Sequence, residues 1–331
     1  MTDGPPVGLV LGSALAPEQI PRTAKLGEEL GFCELWLAED YFFTGGVSGA
    51  TAALAATERV PIGLGIVSAL VRHPALLAME VSTVARIFPG RFWPGIGLGV
   101  PSWMEQMRLL PKSPVTAMRE CVSSVRRLLD GEELSEEGRL FSFDRVRLTY
   151  PLTAERPPLY MGVIGPKLLR LSGEIADGTV LSVLASAAYV RWAREQIAAG
   201  MTSAGRSGHH RVAAFMFFSV DADGRKAKAL VRSLMAFYLA AMPDNALTQV
   251  YGNRDELLDM ATRGGAAVVE RDMPDLWVDD LAIAGDPEEC AEKLKRFLDA
   301  GADSVVLFPL PTERADEIIR LAAAEILPRL R

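Results

Sequence analysis

Four short stretches hold the residue types that could do chemistry: Asp40-Tyr41, Arg72-His73, Gly97-Leu98-Gly99 and Gly162-Val163-Ile164-Gly165-Pro166-Lys167. Each follows an apolar run and leads toward a helical pattern, so each lies where a buried strand hands over to the next element. In parallel α/β folds, ligands bind at that end of the strands. Asp40 could bond the polar edge of a ring, and Tyr41 could donate a proton. His73 could act as acid or base beside Arg72, though an isolated histidine next to a proline also reads as a helix cap. Glycines at 97, 99, 162 and 165 let a flat ligand lie against backbone; taken alone they read equally as tight turns. Gly165-Pro166-Lys167 opens a helix whose first N–H groups, with the lysine charge, suit a phosphate. Phe42 and Phe43 form an aromatic rim, and Trp103, Glu105 and Gln106 lie on the next loop, where a substrate wall is expected. No metal-ligand spacing, nucleophile elbow or Ser-His-Asp arrangement can be made out. His209-His210, in a Gly/Ser/Arg turn, read as solvated at the opposite end.

The elements that must position these residues alternate strand and helix almost throughout. Val60 to Val67 is a nearly charge-free strand, Ala75 to Ile87 a helix with Pro74 in its first turn, and Phe92 to Leu98 a second buried strand. Before this βαβ unit come a strand Val7–Leu11 ending at Gly12-Ser13, a helix from Pro17 to Leu30, a strand Cys33–Ala38 and a helix Ala50–Thr57. After it come a helix Pro114–Leu129, a hairpin Glu136–Leu148, and strands Leu159–Val163, Thr179–Val183 and Arg211–Val220. Helices then span Arg225–Leu239 and Asn253–Arg263, followed by an acidic loop at Asp272–Asp275. Asp286-Pro287-Glu288-Glu289 is a strong helix start, Ser304–Phe308 is the eighth strand, and a helix covers Thr312–Leu327. Leu30–Leu37 and Ala300–Leu307 echo each other as helix end, glycine, polar step and buried strand. The expected fold is a single (β/α)8 barrel over residues 1–331, with a small hairpin insertion near 135–150 and a helical one near 225–283. A doubly wound sheet is the alternative, but Gly8-x-x-x-Gly12 lacks its phosphate fingerprint.

Composition excludes other classes. The chain has 331 residues, 49% hydrophobic and 23% charged, with net charge −7. An acidic balance argues against nucleic-acid binding, which needs a basic face. No run approaches the roughly 18 apolar residues a membrane helix needs. The N-terminus lacks the pattern of a signal peptide, and three scattered cysteines form neither a metal set nor an even disulfide set. A reduced, cytoplasmic enzyme is expected.

Several stretches in order resemble the bacterial luciferase-like superfamily: LGEELGFCELWLAED (Leu26–Asp40), IGLGIVSALVRHPALLAMEVSTVARIFPGRF (Ile62–Phe92), GIGLG (Gly95–Gly99), PLYMGVIGPKLLRLSGEIADGTVL (Pro158–Leu181) and AGDPEECAEKLKRFLDAGADSVVLFPLP (Ala284–Pro311). The Gly165-Pro166-Lys167 turn and Trp103–Met107 look most like the branch that uses coenzyme F420, a hydride-carrying deazaflavin. The resemblance implies a (β/α)8 barrel with a non-prolyl cis peptide near Ile66-Val67-Ser68 behind the ring. It implies that Asp40 bonds the pyrimidine edge, that Gly97 and Gly99 line the ring, and that Gly162, Ile164, Gly165, Pro166 and Lys167 hold the tail phosphate. Many relatives carry a histidine where this chain has Tyr41, which can donate a proton but is a poor base. Position 100, a glutamate in sugar-phosphate-oxidising relatives, is Val100, which argues against glucose 6-phosphate as substrate. The implied activity is hydride transfer between F420 and a small, largely apolar substrate (C=C, C=N or C=O), with Tyr41 or His73 supplying a proton and Phe43, Trp103 and Glu105 contacting the substrate. An FMN-dependent monooxygenase or reductase is the alternative, and a non-catalytic flavin-binding protein a third class. Relatives imply a homodimer through helices two and three.

Overall fold

A computed structural model describes residues 5–12, 14–153 and 156–330. Ser13, the expected end of the first strand, lies outside them. The strands are β1 (Val7–Leu11), β2 (Leu35–Leu37), β3 (Ile62–Leu64), β4 (Val67–Ser68), β5 (Phe92–Trp93), β6 (Gly95–Gly97), β7 (Leu134–Glu137), β8 (Ser142–Val146), β9 (Tyr160–Gly162), β10 (Gly178–Leu181), β11 (Arg211–Val220), β12 (Ile283–Gly285) and β13 (Ser304–Pro309). All but the antiparallel hairpin β7–β8 join one parallel sheet. From β1 the pairing runs one way through β2 and β3 to β5, and the other way through β13, β11, β10 and β9 to β6. Only Pro94 separates β5 from β6, so both paths meet on one stave and the sheet closes. Closure pairs the staves with one another around the barrel, while β12 is added on β11 alone. The expected eight-stranded barrel is present, with two staves interrupted: the third between Leu64 and Val67, the fourth at Pro94.

Around it lie α1 (Ile20–Glu29), α2 (Gly46–Ala56), α3 (Pro74–Ile87), α4 (Pro101–Gln106), α5 (Pro114–Leu129), α6 (Pro166–Ile175), α7 (Ala187–Ser203), α8 (Gly224–Ala241), α9 (Ala246–Tyr251), α10 (Arg254–Asp272), α11 (Asp275–Leu281), α12 (Pro287–Asp299) and α13 (Ala315–Leu321). Leu9, Leu35, Ile62, Val81 and Val125 are among the buried residues joining staves to helices. α12 starts with the expected signal completed into a capping box: Asp286 accepts from the Glu288 and Glu289 N–H groups, and Glu289 reaches back to the Asp286 N–H. Such a cap contributes about 1 kcal/mol.

Four expectations are corrected. α2 starts at Gly46 rather than Ala50, because the Glu39 carboxylate accepts the Gly46 N–H at 2.7 Å and supplies a cap from the preceding loop. The stretch carrying Trp103 and Glu105 is the short helix α4 rather than a loop, with Pro101 at its first position. The Asn253–Arg263 helix ends at a kink at Gly264-Gly265, where Gly265 has φ +62°, but helical structure resumes to Asp272; α9, α11 and β12 also extend the expected set. His210 is not solvated. It is 4% exposed at the closed end of the barrel, with Nε2 2.8 Å from Thr179 Oγ1, which in turn lies 2.7 Å from Ser172 Oγ. The polar turn around it concealed a ring that tucks inward.

The barrel interior is filled by rings. Trp36, fully buried, meets Tyr160 edge-on at 5.0 Å and Phe215 at 5.6 Å, while Trp93 stacks on Tyr160. A Cβ on Gly63 would sit 2.2 Å from the Trp36 ring, so that position admits glycine alone. Below the rings, the fully buried Glu34 accepts from Trp36 Nε1 at 3.1 Å and Ser304 Oγ at 2.6 Å, and pairs with Arg211.

Candidate active site

The rings fill the barrel only part-way, and a cavity of about 330 Å³ opens at the C-terminal ends of the staves. At its base is the break in the third stave, where the Gly65–Ile66 peptide is cis. Expected near Ile66-Val67-Ser68, the cis bond thus lies just N-terminal to that stretch. Gly65 and Ile66 line the cavity, whereas Val67 and Ser68 are fully buried and do not. Ser68 Oγ donates to the Leu98 carbonyl at 3.1 Å and accepts from the Leu70 N–H at 3.2 Å, which ties the third stave to the fourth.

The glycines serve this arrangement in two ways. A Cβ on Gly97 would lie 2.6 Å from Ile66 Cδ1, and one on Gly162 2.6 Å from Ile66 Cγ2. The Ile66 side chain is therefore seated across both glycines. It covers Gly97, which does not reach the cavity as expected, while Gly162 still does. Gly99 lines the cavity with φ +90°, and a Cβ there would lie 2.5 Å from the Tyr41 hydroxyl oxygen. Glycine is required at 99 on both counts.

At one side of the mouth stand Glu39, Asp40 and Tyr41. Tyr41 is 6% exposed; its hydroxyl donates to the Leu98 carbonyl at 3.1 Å and lies 3.2 Å from Met104 Sδ. Burial raises its pKa above the usual tyrosine value, so it holds its proton at neutral pH. Glu39 forms a two-pronged pair with Arg72 at 2.7 and 2.8 Å, and Arg72 Nε reaches Glu80 at 3.3 Å. The hydrogen bond that Arg72 donates to Glu39 raises the Arg72 pKa further, and burial raises that of Glu80. The cluster locks the loop after β2 to the starts of α2 and α3. Opposite stands Tyr238 of α8, whose pKa is pushed up to about 12 by burial, with the negative charge of Asp40 adding to the shift. Phe215, Phe217, Met242 and Phe308 complete an apolar wall.

His73 is not part of this site. Its Nδ1 accepts the Ala75 N–H at 3.2 Å as the cap of α3, and its ring packs edge-on against Phe141 and Phe143 of the hairpin. Phe43 is 59% exposed and touches the outer side of Trp103, which itself lines the cavity; Glu105 is exposed and points elsewhere. At the far edge, Ile164 and Gly165 line the cavity, whereas Pro166 and Lys167 are exposed on the first turn of α6. Gly165 is the N-cap without a side-chain bond, and a Cβ there would meet nothing within 4 Å. Tyr189 fixes the turn by donating to the Ile164 carbonyl at 2.5 Å. Free first-turn N–H groups beside open space suit an anion.

Sequence reasoning missed Glu39, Tyr238 and the apolar wall, and named Ile66 only for the cis bond. Glu39 carried a signal: a glutamate beside Asp40 on a strand end, with Arg72 on the adjacent one. Tyr238 carried none, because nothing in its helix indicates which face meets the barrel. Among the described residues, no cluster of His, Cys, Asp and Glu could hold a metal ion, and no helix is long and apolar enough to cross a membrane.

A family model described as luciferase-like monooxygenase matches residues 5–304. The 5,10-methylenetetrahydromethanopterin reductase of Methanolobus tindarius is 29% identical over 320 residues, covering 93% of this chain and 95% of its own. The F420-dependent glucose-6-phosphate dehydrogenase of Nakamurella multipartita is 28% identical over 333 residues, covering 95% and 93%. Among solved structures, the coenzyme F420 dependent tetrahydromethanopterin reductase of Methanopyrus kandleri is similar with a TM-score of 0.86 at 25% identity, over 99% of this chain and 100% of that one.

Proposed function

The chain belongs to the luciferase-like monooxygenase family, and from that premise we propose that it is an F420-dependent oxidoreductase acting on a small, largely apolar substrate. The observation that carries the reading is the cavity itself. It is a slot based on Gly65-Ile66, bounded by Gly99 and Gly162, and open at one edge onto the uncapped start of α6. These residues fit a flat ring with a phosphate-bearing tail: Asp40 would bond the ring's polar edge, and the Lys167 and Leu168 N–H groups would hold the phosphate, with the Lys167 charge adding to the attraction. When bound, the deazaflavin supplies the hydride.

The protein's own contribution is placement and protons. The apolar wall excludes water from the reacting bond. Tyr41 and Tyr238 both hold their protons at neutral pH and stand at the mouth, and either donates to a C=C, C=N or C=O group, Tyr41 by turning its hydroxyl from the Leu98 carbonyl; His73 drops out of that role. The Arg72–Glu39 pair keeps the Tyr41 loop in place and neutralises a carboxylate that would otherwise repel an anionic cofactor. Pairing of α2 and α3 into a homodimer belongs to the same reading, supported by the exposed apolar residues Leu76, Met79 and Ile87 on α3; sedimentation velocity checks it.

Fluorescence titrations of purified protein with F420 and with FMN test the proposal. Tight binding of F420 and weak binding of FMN is the expected result. The reverse would move the chemistry to oxygen activation, and binding of neither would withdraw the cofactor assignment. Once a substrate is in hand, Tyr41→Phe should lower kcat by roughly 10²-fold; an unchanged kcat would shift the proton to Tyr238.

A further inference from the structure

Behind the apolar wall lies a second, smaller space of about 20 Å³ between α8, α9 and the start of α10. It shares Ser182, Val183, Tyr238 and Met242 with the main cavity, so this annex adjoins that cavity across these four residues. Three of its polar side chains are fully engaged. Asn245 caps α9, Thr248 Oγ1 accepts the Asn245 N–H and shares its one proton between the Pro243 and Asn245 carbonyls, and Tyr251 donates to Asp280 at 3.0 Å. Asn253 differs. It is 5% exposed, and neither its side-chain oxygen nor its nitrogen has a hydrogen-bond partner.

Its place in the chain sharpens the contrast. Asn253 stands at the N-cap of α10, where an asparagine normally accepts a helix N–H and contributes about 1 kcal/mol. Here the side chain makes no cap bond. A buried amide that forgoes its local partner is costly unless something else satisfies it. The annex has room for one atom group the size of a water, which needs roughly 10–15 Å³.

We propose that Asn253 is a specificity-determining residue that binds a single oxygen function, carbonyl or hydroxyl, on an otherwise apolar substrate reaching from the main cavity into the annex. The amide offers one acceptor and two donors, so it takes either group. This rests on the main cavity being the substrate site. A resident water on Asn253 is the competing occupant.

The probes are 2-cyclohexen-1-one and its oxygen-free counterpart 1-methylcyclohexene, with dissociation constants measured on wild-type protein and Asn253→Leu, with and without F420. The wild type should favour the ketone, and Asn253→Leu should lose about tenfold or more in ketone affinity while keeping its affinity for the hydrocarbon and for F420. A wild type that does not distinguish the two probes, or a variant that binds the ketone undiminished, overturns the proposal. Should Asn253→Leu not fold, a wild-type crystal soaked with the ketone decides. Its oxygen on the Asn253 amide supports the assignment, and a water there with the ketone elsewhere overturns it. Because ketone binding is also read without F420, failure of the cofactor assignment shows separately, as loss of F420 binding alone.

Discussion

The two ends of the barrel use polar residues in opposite ways. At the closed end Glu34 is fully buried, yet Trp36, Ser304 and Arg211 all bond to it, and Asp303 takes bonds from Arg194, His209 and the Val212 N–H. At the mouth, glycines stand beneath an open cavity, two tyrosines hold protons against apolar walls, and the Asn253 amide has no partner at all. The lesson is a division of labour. Stability is held where buried carboxylates are gathered into bonded networks, and recognition where a buried amide is left for a ligand to complete.

The largest test of that division is Glu34→Ala. Removing one partner of a buried ion pair leaves Arg211 uncompensated and should cost about 3–5 kcal/mol in urea unfolding. F420 affinity of the folded protein should stay within about twofold, because distant sites act independently. Lost cofactor affinity at unchanged stability would erase the contrast between the ends. Next comes His210, whose pKa burial lowers to about 4 from 6.5, with the Arg206 and Arg194 charges adding to the shift. A folded pKa below the unfolded one means that the unfolded chain takes up the proton first as pH falls. Its contribution is therefore whole above pH 6.5 and lost progressively down to about 4, roughly 3 kcal/mol in all. His210→Gln should lack that slope in a pH series of unfolding curves; an identical slope would place the titration elsewhere. The smallest effect belongs to His73→Ala, which removes the α3 cap and should cost about 1 kcal/mol while leaving hydride transfer unchanged. A fall in rate at unchanged stability would return His73 to the mouth.

The same contrast explains what the sequence revealed. The staves and helices were legible because alternating apolar runs and punctuating glycines and prolines are local signals, and β11 and α5 fall where their residues place them. Asp40, Tyr41, Gly99, Gly162, Ile164 and Gly165 were legible as cavity residues because they follow strand ends, and strand ends share one rim; Trp103 was legible from the segment after the fourth stave, which proved to be α4. His73 misled because a helix cap and a catalytic histidine look alike in one dimension. Glu105 misled because a helix, where a loop was expected, turned it outward. Tyr238 and Asn253 stayed hidden because their roles come from how the helices between β11 and β12 pack over the rim, which no local pattern specifies.

Ile66 carries one more consequence. Its side chain spans the glycines of two neighbouring staves and forms the bottom of the slot, so a single residue sets how deep a ligand can sink. Alanine there would lower that bottom onto bare glycine backbone, and a larger residue would lift the ligand toward the tyrosines. Depth is thus adjustable independently of the ring-packed interior below, and a lineage could retune which bond meets the hydride donor by changing this one side chain.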